Sequence, residues 1–132
     1  MIVLDTHALI WWVTGDMAQL SALASQAIES EVAGGQIIVS SISAWELAML
    51  VDRGRIALSM DIEEWLSVTG QIENLRFVPV DNEIAVKSTH LPGEFHKDTA
   101  DRIIVATARK LAAPLVTADD KIRNYAHVKT IW

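Results

Sequence analysis

Short apolar runs alternate with amphipathic segments along the whole of this 132-residue chain. Continuously apolar runs of this length are typical of strands that are buried on both faces of a parallel sheet. Five such runs predict strands at residues 1–5, 36–40, 76–80, 114–118 and 128–132. Pro79 lies in the third run and, because it lacks an N–H group, weakens the pairing expected there.

The segments between these runs have the apolar spacing of helices. They predict helices at residues 7–15, 21–32, 42–54, 59–71, 82–88 and 99–111, with a short helical turn at 120–124. Gly54 is expected just beyond the end of its helix, in the C′ position. Strands that alternate with helices predict an α/β fold, a three-layer sandwich around a central, mainly parallel sheet, with residues 1–132 in one domain.

Composition narrows the class of protein. Hydrophobic residues make up 51% of the chain and charged residues 21%, which is typical of a globular protein. No apolar run reaches the roughly 18 residues of a membrane span, and the apolar N-terminus has no basic residues before it, so we predict neither an anchor nor a signal peptide. The absence of cysteine excludes disulfides and thiolate metal sites and fits a cytoplasmic protein.

The net charge of −6 argues against a protein that binds nucleic acid through bulk positive charge. It does not argue against an enzyme that handles phosphates through bound metal ions. In such an enzyme, part of the negative charge belongs to the metal site itself.

Four acidic residues occupy comparable places in the predicted fold. Asp5 ends the first strand and Asp119 follows the fourth, whereas Glu46 and Asp101 lie in the first turns of helices. Because the carboxyl ends of parallel strands meet at one edge of a sheet, we expect these four side chains to approach one pocket.

Each acid also has a purely structural explanation. Residues 43–46 have the S-x-x-E pattern of a capping box, and residues 117–120 have a related pattern. Asp98 is a candidate N-cap, with Asp101 at the third helical position beside the positive end of the helix dipole. Taken singly, each acid is explained at least as well by capping as by chemistry.

Helical position favours a functional role for two of the acids. Asp101 shares a helix face with Ile104 and Ala108, and Glu46 shares one with Met49, so both carboxylates are expected at the edge of the core. Half-buried carboxylates that lie close together repel one another and have raised pKa values. A divalent cation removes that cost, and Mg²⁺ and Mn²⁺ prefer oxygen ligands.

Four motifs resemble the PIN domain, in particular the VapC-type toxins of toxin–antitoxin systems. They are "IVLDTHALIWW", "SAWELAMLVDRGRI", "HKDTADRIIVATA" and "LVTADDKI", and they cover nearly the whole chain in order. The resemblance implies a Mg²⁺- or Mn²⁺-dependent endoribonuclease that acts on RNA, is bound by an antitoxin protein and usually forms a homodimer.

The resemblance also implies which residues form the site. Its acids map onto Asp5, Glu46, Asp101 and Asp119, all four as metal-binding and catalytic residues. We expect Asp5 and Asp101 to hold the metal directly, and the other two to act through water. Asp98 corresponds to an additional acid of one subgroup, in which Pro is common at the next position and this chain has Thr.

Polar residues beside the acids are auxiliary candidates. Thr6 and Thr117 have hydroxyl groups that can bond to a carboxylate or a phosphate, although a turn or cap hydroxyl explains each equally well. His96 is expected to shape the loop before Asp98 through a hydrogen bond. The basic residues proposed to contact phosphates are Arg102 and Lys121 first, then Arg53, Arg55, Lys97 and Arg123.

The sequence also predicts where three of the tryptophans lie. Trp12 and Trp45 are expected in the core, and Trp11, with Ile10 and Met49, is expected to line an apolar groove. The resemblance implies that a helix of the antitoxin fills this groove, whereas stacking on RNA bases is the alternative for an exposed tryptophan.

Other functions compete with the ribonuclease. A haloacid-dehalogenase-like phosphatase needs D-x-D-x-T after the first strand, where this chain has "DTHAL", and a receiver domain needs an early acidic pair that is absent. A catalytically silent PIN-like module that binds protein or RNA stays open as the alternative outside enzymes.

Overall fold

A computed structural model describes residues 1–132 and contains one five-stranded, entirely parallel sheet in the order β3-β2-β1-β4-β5. The strands are β1 (Ile2–Leu4), β2 (Ile37–Ser40), β3 (Leu75–Val78), β4 (Leu115–Val116) and β5 (Thr130–Ile131). The predicted α/β sandwich is confirmed. The strand order reverses between β1 and β4, and such a reversal opens a crevice at the carboxyl edge of the sheet.

Seven helices connect the strands. They are α1 (Thr6–Thr14), α2 (Ala22–Gly34), α3 (Ile42–Asp52), α4 (Ile62–Thr69), α5 (Asn82–Thr89), α6 (Thr99–Leu111) and α7 (Asp120–Arg123), with a 3₁₀ turn at Met17–Gln19 that the pattern did not predict. Pro79 lies directly after β3, so its missing N–H group costs no strand pairing. No helix combines the length and the apolar character that crossing a membrane requires.

The sheet is covered on both faces, which explains the continuously apolar strands. In β1, Ile2 and Leu4 pack into one core with α1, α2, α3 and α4, whereas Val3 packs into a second core with α5, α6 and α7. In β4, Val116 packs into the first of these cores and Leu115 packs into the second. This period of two is the geometry of a pleated strand and produces the three predicted layers.

The end of α3 confirms the predicted role of Gly54. Its φ of +68° lies in the left-handed region, and a Cβ there would meet no atom within 4 Å, so backbone conformation alone favours glycine. The Arg55 N–H group donates to the carbonyl of Leu50 (2.9 Å), the bond that closes a Schellman motif. The helix end thereby fixes the direction of the backbone at Arg53 and Arg55.

At the end of α6, the left-handed backbone conformation is adopted by an alanine and not by a glycine. Ala112 is exposed and has a φ of +51°, where its Cβ is close to a carbonyl oxygen. We expect Ala112→Gly to increase the free energy of unfolding by about 0.5–1 kcal/mol, measured by urea denaturation. Ala85→Gly, in the exposed middle of α5, should lower it by a similar amount. A loss of stability in both variants would contradict this account of α6.

Candidate active site

The carboxyl edge of the sheet bears an acidic cleft of about 450 Å³ beside the reversal in strand order. Its lining residues are Asp5, Thr6, His7, Trp11, Glu46, Asp98, Asp101, Ala118 and Asp119. The structure therefore brings together the four principal acids, the auxiliary acid Asp98 and Thr6. No lysine or arginine is among the lining residues.

Three of these acids are also helix N-caps. Asp5 accepts from the N–H group of Ala8 (2.9 Å), and Asp98 accepts from that of Asp101 (2.9 Å). Asp119 accepts from the N–H group of Lys121 (2.8 Å). The structural and functional explanations thus apply to the same side chains, because an N-cap after a parallel strand already lies at the edge where ligands bind.

Glu46 is positioned by a short chain of hydroxyl groups. The hydroxyl of Thr6 donates to Glu46 Oε1 (2.5 Å) and lies 2.8 Å from the Ser43 hydroxyl. The predicted capping box is wrong, because α3 begins at Ile42 and places Ser43 inside the helix, where it makes no cap. Glu46 consequently lies in the second turn of α3 and not in the first.

Burial and crowding raise the pKa values of three carboxyl groups in the cleft. Burial raises the pKa of Asp5 most, with a smaller contribution from the Asp119 charge. Burial also raises the pKa of Glu46, followed by the charges of Asp98 and Asp5. The pKa of Asp101 rises to about 7, first through burial and then through the charges of the four other acids. The charges of neighbouring acids therefore contribute to the raised pKa values of Asp5, Glu46 and Asp101 across the cleft.

Thr117 supports two of the acids from below the cleft. It is fully buried, and its hydroxyl accepts from the N–H group of Asp119 (3.0 Å). The same hydroxyl bonds to the carboxylate of Asp5, which partly offsets the effect of burial on the pKa of that group. Its position is that of a residue that orients the acids and not of one that meets a ligand, since it is absent from the cleft lining.

Arg102 and Lys121, the first two basic residues expected to contact phosphates, do not line the cleft. Arg102 donates to the carbonyls of Ser88 (2.8 Å), Phe95 (3.0 Å) and His96 (3.1 Å), so it ties down the loop that precedes α6. Lys121 lines a neighbouring surface depression and not the acidic cleft. The expected role of Arg102 at the rim needs correction, because its guanidinium is committed to backbone carbonyls.

His96 is held beside the cleft by this loop. Its Nε2 lies 3.0 Å from Asp101 Oδ2, but it makes no hydrogen bond of acceptable geometry. The imidazole of His96 is therefore close to the carboxylate of Asp101 without a hydrogen bond to it. Burial is the largest cause of the raised pKa of Asp101. The hydrogen bond expected from His96 is not formed, and its ring packs edge-on against Phe95, with 4.6 Å between the ring centroids.

The tryptophans differ from expectation. Trp45 is 52% exposed, so its assignment to the core is wrong, whereas Trp12 is half-buried against the first core. The apolar groove expected from Trp11, Ile10 and Met49 does not form, because Ile10 is buried and Met49 lies in a different groove from Trp11. Trp11 lines the acidic cleft, where its ring centroid is 5.6 Å from that of His7.

His7, a candidate ligand or acid by residue type, and Trp11, which was expected in an apolar groove, both line the cleft. Both follow Asp5 on α1, two and six residues later, and α1 begins at the cleft. That adjacency is the signal that could have identified them, because the first turns of a helix capped by a site residue face the site.

A model of the PIN domain family matches residues 2–128. The chain belongs to the PIN-domain family. It is 36% identical over 133 residues to Ribonuclease VapC22 of Mycobacterium tuberculosis, a match that covers 99% of this chain and 98% of that protein.

Solved structures confirm the PIN fold. The complex of VapBC2 from Rickettsia felis with a DNA fragment from its promoter aligns with a TM-score of 0.70 and 17% identity, covering 98% of this chain and 97% of that one. A toxin–antitoxin complex from Klebsiella pneumoniae aligns with a TM-score of 0.67 and 22% identity, covering 97% and 95%. At these identities, the likeness concerns the fold alone.

The acids of this PIN domain suit a hard divalent cation without forming a ready-made cage. No group of three or more His, Asp or Glu side chains has the spacing of a complete metal site. Mg²⁺ requires fewer protein ligands, since it keeps several waters and is bound through one or two carboxylates. Oxygen donors with raised pKa values and no lysine or arginine in the cleft lining fit that chemistry.

The crowded carboxylates predict an unusual pH dependence of stability. Asp101 holds its proton in the folded chain up to about pH 7, whereas in the unfolded chain it loses it near 3.8. In EDTA, the free energy of unfolding should therefore fall as the pH rises between these values, by up to about 1.4 kcal/mol per pH unit from this group.

Asp101→Asn keeps the shape of the side chain and removes this titration. Its unfolding free energy, from urea denaturation at pH 5, 6 and 7, should fall less steeply with pH than that of the wild type. Parallel pH profiles for the two proteins would refute the assignment of the raised pKa to Asp101.

Proposed function

We propose that this PIN domain is a divalent-metal-dependent endoribonuclease and the toxin of a toxin–antitoxin pair. The observation that carries the proposal is the convergence of five acidic side chains from four chain segments on one cleft that no lysine or arginine lines. The name of the relative that is 36% identical, Ribonuclease VapC22, supports the same activity. An RNA substrate would place its action in the cytoplasm.

In the proposed mechanism, Asp5 and Asp101 would hold Mg²⁺ or Mn²⁺. The chemistry supplied there would be a lowered pKa of a water molecule and neutralisation of charge on the scissile phosphate. Glu46 and Asp119 would orient the attacking water, and one of the two carboxylates would accept its proton as the P–O bond to the leaving oxygen breaks and that oxygen takes up a proton from solvent, with Thr6 fixing one oxygen of Glu46. Asp98 adds negative charge beside Asp101 and strengthens the attraction for a cation.

The proposed partners follow from the same comparisons. The solved structures with this fold include toxin–antitoxin complexes, so we propose that an antitoxin protein binds this chain and silences it. We further propose a homodimer, as expected from the sequence.

The substrate is proposed to be RNA. Sequencing of RNA ends after brief expression in cells, with Asp5→Ala as the control, identifies which RNA is cut.

Cleavage of RNA by purified protein tests the ribonuclease directly. We expect Mg²⁺ or Mn²⁺ to support cleavage and EDTA to abolish it, because without a cation the acids repel the RNA backbone. Asp119→Asn should reduce the rate about a hundredfold or more. It should leave stability nearly unchanged, because Asn caps a helix about as well as Asp.

A matched control is the neighbouring acid. Asp120 has an 88% exposed side chain and lies outside the cleft, so Asp120→Asn removes the same charge one residue away and should retain wild-type activity. Protein that stays folded and binds an antitoxin but cleaves no RNA with any divalent metal would overturn the enzyme and favour a silent binding module.

A further inference from the structure

A second groove joins the acidic cleft along one side of α3. It has a volume of about 400 Å³ and shares Glu46 and Asp98 with the cleft. Its lining also includes Trp45 next to Glu46, then Met49 and the residues that end α3. We call it the α3 groove. A polymer whose reacting bond lies in the cleft can extend into the α3 groove without leaving the surface.

Trp45 gives the α3 groove an exposed aromatic surface. Its side chain is 52% exposed and makes no contact with another aromatic ring. Met49 lies four residues further along α3 and therefore on the same side of the helix. An exposed indole beside a catalytic cleft offers a flat, apolar face on which a planar ligand can stack.

Two arginines at the end of α3 give the groove its positive charge. Arg53 and Arg55 are both exposed and line the groove, and neither side chain takes part in a hydrogen bond or an ion pair. Some other basic side chains are engaged, as Arg102 is with backbone carbonyls and Lys110 is with Asp81, and none of the remaining ones lines this groove. In a chain with a net charge of −6, two free guanidinium groups next to the acids form a localised anion-binding surface.

These groups are spread along the helix. Trp45 and Arg53 are eight residues apart on α3, which corresponds to about 12 Å along the helix axis. Glu46 lies at the cleft end of this line. The charge and the aromatic surface therefore follow a path away from the proposed reaction centre and do not surround a single point.

We propose that the α3 groove binds the single-stranded RNA segment next to the scissile phosphate, with a base stacked on Trp45 and phosphates held by Arg53 and Arg55. The inference rests on the proposed ribonuclease function and adds the residues that hold the substrate. Single-stranded nucleic acid is commonly bound by this combination of an aromatic platform and basic groups. The arginines also explain how an acidic chain attracts RNA, since they supply the charge that the cleft lacks.

The test measures RNA binding separately from cleavage. In the Asp101→Asn background with Mg²⁺ present, the fluorescence anisotropy of a short labelled single-stranded RNA reports the dissociation constant. Trp45→Ala should weaken binding about tenfold, whereas Trp45→Phe should retain most of it, because stacking needs only an aromatic face. Leu23→Ala is the matched control, since Leu23 is 61% exposed and lies outside the groove.

The salt dependence of the same measurement tests the arginines. Replacing both Arg53 and Arg55 by Gln should lower the slope of log K against log salt by about 1.4. Arg76→Gln is the control, because Arg76 is exposed and lies outside the groove. In the otherwise wild-type enzyme, Trp45→Ala should raise KM with little change in kcat, since Trp45 does not touch the reacting atoms.

The outcomes separate this inference from the proposed function. If the wild type cleaves RNA but the groove variants bind and cleave like their controls, the α3 groove has no part in RNA binding and the inference is overturned. If the variants lose binding to the antitoxin and keep binding to RNA, the groove is a protein-binding surface and the inference also fails. If the wild type neither binds nor cleaves RNA, both proposals fall.

Discussion

Repulsion among the carboxylates at the carboxyl edge of the sheet is the constraint on which the rest of the site depends. Asp101 is surrounded by the charges of four other acids, and no lysine or arginine lines the cleft to offset them. The parallel sheet pairs β1 with β4, so Asp5 and Asp119, which follow these strands, lie at the same edge of the sheet. A bound divalent cation would relieve this repulsion, and this gain in free energy is the proposed reason that the cleft binds a metal.

The chain holds the acids in place largely through its own backbone. Asp5, Asp98 and Asp119 each accept N–H groups at the start of a helix, and the positive ends of α1 and α6 partly offset the negative charge. Arg102 fixes the loop that carries His96, and the Thr6 hydroxyl fixes Glu46. The two apolar cores on the faces of the sheet stabilise the fold. The carboxyl edge of the sheet can therefore hold carboxylates that repel one another.

The sequence predicted the fold and the acids because both depend on local patterns. Buried strands produce continuous apolar runs, and a parallel sheet necessarily gathers the residues that follow its strands. It failed where the direction of a side chain decided the outcome. Ser43 and Leu47 are buried on one side of α3, and Trp45, two residues from each, therefore faces solvent. Its hydrophobicity alone suggested the core.

Arg102 shows the same limit at the start of α6. It follows Asp101 directly, but one helical step turns it by about 100° toward the carbonyls of the preceding loop. Adjacency in the sequence to a site residue therefore did not mean adjacency in space. The sequence shows that Arg53 and Arg55 follow the Glu46 helix. Whether another side chain pairs with them depends on tertiary contacts, which the sequence pattern does not give.

Calorimetric titration of the metal-free protein with Mn²⁺ at pH 6, in buffers of different ionisation enthalpy, tests the central claim most directly. The account predicts that an ion binds and displaces protons from the carboxyl groups whose pKa values are raised, and that Asp101→Asn releases fewer protons and binds more weakly. Absence of binding at millimolar Mn²⁺, or binding without proton release, would contradict it.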